Sequence, residues 1–408
     1  MKPITSQLKS FIDYNCKEPY NEIAKTFMFS SSQSSIFQNI HELIRNAHIE
    51  WHDNPEIAEI ENIPKGQLYK DIPENFKQII KTTLSQQKTF NMNIGGRDIF
   101  VSFFADAHKS HSPEKWVVYL KKIYIWLTVI SQFASTTCVE TLYVYIYLTH
   151  EKKQLPSDPH TALGRTHANT AFTTSCTSNT EIHLYREEEW FKVFIHETFH
   201  SYGLDFSTMD NTMANKKMHQ IFGITGDVRL YESYAEIWAE IIHICFLVHF
   251  EMIHSPKWEN VDNFISKIKD KLIYEITFSL LQCAKVLNHN GLTYDYIAKQ
   301  DTMSKTKVSK IYKEETPLFS YYVVKSILLF FANDFTQWTM IHNRGSFNFQ
   351  KTQQNVDAYI GFIQKHAINA KYTKTMKMVE ECLNNSKQKS VFKNEPALNT
   401  MRMTLHEA

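Results

Sequence analysis

The sequence predicts an α+β fold: a small mixed sheet that ends in one buried helix, followed by an all-α half. Three observations predict it. Residues 88–186 hold five runs of strand character around a single long amphipathic segment. The stretch Trp190 to Phe206, WFKVFIHETFHSYGLDF, is apolar enough for a buried helix and carries His196, Glu197 and His200 in the order HExxH. Beyond Ser207 the periodicity is helical only.

Length and composition set the frame. A chain of 408 residues exceeds the size at which one core usually stops growing, so several subdomains are expected. The text divides into an N-terminal helical region (1–87), an α/β subdomain with the HExxH helix (88–206), a helical subdomain (207–386) and a polar tail expected to fray (387–408). With 44 basic and 43 acidic side chains there is no overall field for nucleic acid or a membrane surface. The 10 glycines form neither GxxxxGK nor GxGxxG, which argues against ATP or NAD. Six cysteines without a CxxC pair read as free thiols, several of them buried, in a reducing compartment. Neither an apolar leader nor a membrane-length run occurs, so a soluble, cytoplasmic, unsecreted protein is expected.

The elements follow in order. Ser34 to Trp51 repeats its isoleucines at helical spacing, and Pro73 to Leu84 begins with proline where a first turn tolerates it. At Lys88 the period drops to two. KTFNMNI and RDIFVSFFA flank Gly95-Gly96, a hairpin signature. Pro113 to Phe133 reads as a long helix and Val139 to Thr149 as a β-branched, aromatic strand. Asn169 to Cys176 and Thr180 to Arg186 read as two short strands before the HExxH helix. After it, residues 207–226 read as a polar linker, and Asp227 to His254 as a long helix whose acid near the start suits the helix dipole.

The chemistry rests on spacing. Positions i and i+4 share a helix face, so His196 and His200 can reach one metal while Glu197 points toward a water beside it. A catalytic zinc takes three protein ligands and keeps one position open. The continuation HExxHxxGxxH is broken, because Gly203 is present but Phe206 stands where a third His would be. Gly203 then reads as a helix C-cap and Asp205 as a capping or loop acid. Downstream, YESYAEIWAE places Glu232 and Glu236 on one helical face. Glu232 is the preferred third ligand, with Glu236 accepting the Nδ1–H of a ligand His, although Glu236 itself remains an alternative ligand. The bland alternative is that Glu232, Glu236 and Glu240 form a solvated acidic stripe.

This pairing of HETFH with a later ExxxE helix resembles the gluzincin peptidases, with Tyr231 where their helix carries Asn. VFIHETFHSYGLDF preceded by NTAFTT is also similar to uncharacterised zincin-like proteins of large eukaryotic DNA viruses. The resemblance covers mainly residues 88–254. It implies a zincin-like fold, one Zn2+ per chain on His196, His200 and Glu232, and Glu197 as general base in the hydrolysis of peptide bonds. It also implies a peptide or protein substrate paired along Asn169 to Thr174, an oxyanion donor among Tyr202, Tyr231, Tyr321 and Tyr322, and a location in host cytoplasm or a virion. The competing expectation is a catalytically inactive zincin-like structural or interaction protein. A helical scaffold with an accidental motif is a third.

Overall fold

The computed structural model describes residues 3–29, 31–52, 56–107, 113–255, 258–388 and 395–407. Six strands form one mixed sheet: β1 (Ile57–Ile60), β2 (Gln86–Ile94), β3 (Arg97–Ala105), β4 (Thr141–Tyr147), β5 (Ala171–Thr173) and β6 (Asn179–Leu184), in the order β1-β2-β3-β4-β6-β5. β2 and β3 are the antiparallel hairpin, turned by Gly95 and Gly96, both at positive φ. The β3–β4 and β4–β6 pairings are parallel. β5 closes the sheet antiparallel to β6, and among the described residues no strand pairs with its other edge. The N-terminal region, expected to be helical, therefore also supplies edge strand β1, whose four residues are too short to register as a period.

Strand alternation decides the two faces. Leu142, Val144 and Ile146 of β4 join the main core, while Tyr145 and Tyr147 point to a second, smaller cluster with Phe76, Ile80 and Tyr185. Four helices precede the sheet or lie within its first strands: α1 (Ile4–Asn15), α2 (Lys17–Thr26), α3 (Ser31–His52) and α4 (Glu74–Thr83). α4 covers the smaller face through Phe76 and Ile80. On the larger face lies α5 (Pro113–Ser131), between β3 and β4. A short turn of helix, α6 (Arg165–Ala168), precedes β5.

The HExxH segment is α7 (Trp190–Ser201), and every one of its residues is buried. It packs on β5, β6 and α5, and on the other side against α9 (Leu230–Met252). Trp126 of α5 donates to Thr198 at 2.7 Å, fixing the rotation of α7 under the sheet. The expected linker contains α8 (Thr212–Phe222), because Ala214, Met218 and Phe222 bury one face at four-residue spacing. Then come α10 (Val261–His289), α11 (Tyr294–Lys299), α12 (Thr302–Ile311), a π-helical turn Phe319–Val324 running into α13 (Lys325–Phe330), α14 (Ala332–His342), α15 (Gln353–Ala367), α16 (Ala370–Gln388) and α17 (Pro396–Asn399). Among the described residues no helix is long and apolar enough to cross a membrane.

Two expectations are corrected. The tail does not fray along its described part: residues 401–406 are all buried, and the backbone N–H groups of 403–406 bond to buried acids. Met403 and Thr404 donate to Glu189, and Leu405 to Glu275 at 2.8 Å. Polar text here means polar partners inside the protein, not solvent. The cysteines are not all free either. Cys16–Cys382 and Cys138–Cys176 are disulfides, and only Cys245 and Cys283 remain as buried thiols. The chain separations of 366 and 38 residues gave no local signal, and the bonded pairs remove the cysteine argument for a reducing compartment.

Candidate metal centre

Three ligand atoms from α7 and α9 converge. His196 Nε2 lies 3.0 Å from Glu232 Oε2, His200 Nε2 lies 3.2 Å from the same oxygen, and the two Nε2 atoms are 3.1 Å apart. Helical spacing puts the two imidazoles one turn apart on one face, and α9 crosses that face with Glu232 in its first turn. All three side chains are buried.

Each imidazole is held from behind. His200 Nδ1 makes a short hydrogen bond to Asp205. The helix ends at Tyr202, Gly203 takes the left-handed conformation (φ +66°), and Leu204 N closes the cap on Phe199 O at 2.8 Å. That turn brings Asp205 back beside His200, so the residue expected to be a plain loop acid is a partner of the site. Its other oxygen accepts from Ser207 N at 2.8 Å. His196 Nδ1 lies 3.0 Å from Glu236 Oε2, a contact that places the carboxylate behind the ring. Glu236 is in turn bonded to the buried Lys192 of α7 and stands 3.8 Å from Lys325.

The acidic stripe is not solvated. Glu232, Glu236 and Glu240 are 8%, 1% and 0% exposed, and Glu240 pairs with Lys325 at 2.7 Å. Burial alone would raise the carboxyl of Glu236, but the Lys192 ammonium and His196 hold it well below its ordinary range. Burial likewise opposes ionisation of Glu232, and the two histidines outweigh it. His196 and His200 are both pushed up: burial works against their charge, and the carboxylates around them win. Glu197 differs, since burial raises it and the histidines only partly offset that. Of Glu197, Glu232 and Glu236, Glu197 alone is raised.

Glu197 lies between two spaces. A chamber of 20 Å³, room for about one water, is bordered by Asn169, Val193, His196, Glu197 and Tyr321. A cleft of 170 Å³ opens over the other side, bordered by β5 residues Ala171, Phe172 and Thr173 and by His200, Tyr231 and Glu232. The four tyrosines now separate. Tyr321 and Tyr231 border the cleft, with ring centres 6.0 Å from His196 and 5.8 Å from His200 respectively. Burial raises both phenols, so both remain hydrogen-bond donors. Tyr322 donates instead to Met401 O at 2.6 Å, and Tyr202 packs under Arg97.

No protein-family model matches the chain, and no curated protein or solved structure matches it. Two imidazole nitrogens and a carboxylate oxygen suit a borderline divalent cation such as zinc. Ligands at ~2.0–2.1 Å in a tetrahedron stand ~3.3 Å apart, close to the 3.0–3.2 Å separations here. A cation at the centre would also relieve the close approach of the two Nε2 atoms. The residues fit the ion.

Proposed function

We propose that the protein is a zinc-dependent peptidase of zincin-like, specifically gluzincin-like, architecture. The observation that carries this is the convergence of His196, His200 and Glu232 beside an uncommitted Glu197, under a sheet edge open to an extended chain. Zinc held there supplies Lewis acidity, lowering the pKa of a water and polarising a carbonyl. Asp205 and Glu236 keep the imidazoles turned so that both Nε2 atoms face the centre. Glu197 accepts a proton from water at its carboxylate and passes it to the leaving nitrogen. Tyr321 or Tyr231 donates to the oxygen on which charge develops. The free edge of β5 pairs with the substrate backbone, which presents a peptide bond to the cleft.

Support for peptidase over structural chemistry comes from Glu197, since a purely structural site has no need of a buried, unpaired base beside its ligands. The test is metal content and cleavage together. Wild type is expected to bind about one zinc per chain, His196→Ala to lose it, and Glu197→Gln to keep it while losing cleavage of a peptide library. Wild-type protein that takes up no zinc would remove the proposal. Zinc retained without cleavage would favour a structural metal.

A further inference from the structure

The cleft beside the metal group carries charge that the reaction does not use. Glu197, His200 and Glu232 are committed to water and metal, which leaves Arg165 and Arg229 as its remaining charged border residues. Both are exposed. Arg165 opens α6, and no carboxylate among the described residues comes within ion-pair distance of it. Arg229 is the residue before α9, three positions ahead of Glu232, in the left-handed conformation (φ +45°). Its Nε pairs with Asp227 at 2.7 Å, which leaves the outer edge of the guanidinium for another acceptor.

The same two arginines also border an adjoining chamber of 310 Å³, so they stand at the junction of the two spaces. The acids of that chamber are largely engaged. Asp227 holds Arg229, and Glu314 accepts from Tyr312 Oη at 2.8 Å and Phe319 N at 2.7 Å. Glu315 is exposed beside Gly164. At that junction Arg165 has no ion-pair partner among the described residues, and Arg229 is paired through Nε alone.

Resting on the peptidase reading, we propose that Arg165 and Arg229 form a carboxylate subsite, which makes the substrates peptides with an acidic side chain or a free C-terminus close to the bond that is cut. Guanidinium forks match a carboxylate in charge and geometry. A carboxylate on the peptide is expected to strengthen binding about 10-fold or more.

The test uses the full-length, zinc-loaded Glu197→Gln protein, which is expected to bind peptides without cutting them. Fluorescence anisotropy would compare labelled peptides that differ in one group: internal Glu against Gln, both C-terminally amidated, and a neutral peptide as free acid against its amide. Tighter binding of the internal-Glu peptide assigns the subsite to a side chain; tighter binding of only the free acid assigns it to a C-terminus. Either preference should vanish in Arg165→Gln/Arg229→Gln, whose surface changes leave the thermal melt in place. Equal binding of charged and neutral peptides, no peptide binding, or a preference that survives the double substitution overturns the subsite. The peptidase reading is judged separately, by whether wild type cuts the peptides that Glu197→Gln binds.

Discussion

His200 is hydrogen-bonded through Nδ1 to Asp205, five residues along the chain, while its Nε2 faces His196 and Glu232. The carboxylate fixes which nitrogen carries the proton and makes the other a better donor to a metal. Asp205→Asn keeps the shape and the acceptor for Ser207 but removes the charge. Zinc affinity is expected to fall ~10–100-fold with little change in thermal stability. Competition with a chromogenic chelator would measure it, and unchanged affinity would make Asp205 a loop acid after all.

Lys192 and Glu236 form a second pair, buried between α7 and α9. Lys192→Met leaves Glu236 with the more distant Lys325 and the edge of His196. Breaking one half of a buried pair costs ~3–5 kcal/mol, whereas Lys192→Met/Glu236→Met removes both charges and should cost less. Urea denaturation of the three proteins checks this. A double variant less stable than Lys192→Met would show that Glu236 is held mainly by other groups.

What the sequence made legible and what it hid divide along chain distance. The hairpin, the succession of strands and helix from residue 88 to 186 and the HExxH helix rest on local period, and Glu232 and Glu236 on one four-residue step; the structure brings both acids to the histidines. Asp205 was within reach, since a glycine cap two residues earlier turns the chain back toward His200. Tyr321 was not, because no local pattern selects one tyrosine 121 residues after His200 over its neighbour Tyr322. The tail misled for a related reason. Arg402 and the N–H groups of 403–405 meet Glu188, Glu189 and Glu275, acids that sequence alone assigns to solvent.

The Cys138–Cys176 disulfide ties the β5–β6 turn to the connection between α5 and β4, and both cysteines lie against Gly203 just after α7. Cys176 N donates to His200 O at 3.1 Å, and Ser175, at the cleft, bonds Ser207, which bonds Asp205. Closing a 38-residue loop is worth ~4 kcal/mol on the chain-entropy account. Cys138→Ser/Cys176→Ser should lose about that much stability in urea. On the proposed peptidase reading it should also raise KM more than it lowers kcat, because β5, the strand proposed to pair with substrate, loosens while His196, His200 and Glu232 stay on their helices. An unchanged KM in the folded variant would mean that β5 is held by the sheet alone.

Glu314, which borders the chamber adjoining the cleft, gives a pH signature of its own. Burial pushes its carboxyl up to about 7, with the Tyr312 hydroxyl and Phe319 N–H only partly opposing. The folded protein therefore keeps a proton that the unfolded chain releases near pH ~4.3. Stability from this group is full below that pH, falls as pH rises toward 7, and is flat beyond it. The limit is ~1.4 kcal/mol per pH unit, reduced here because the side chain keeps some exposure to water. Glu314→Gln preserves an acceptor without the titration. Its stability should match wild type near pH 4.5 and exceed it above pH ~7. Parallel curves for the two proteins from urea melts across that range would place the Glu314 proton elsewhere.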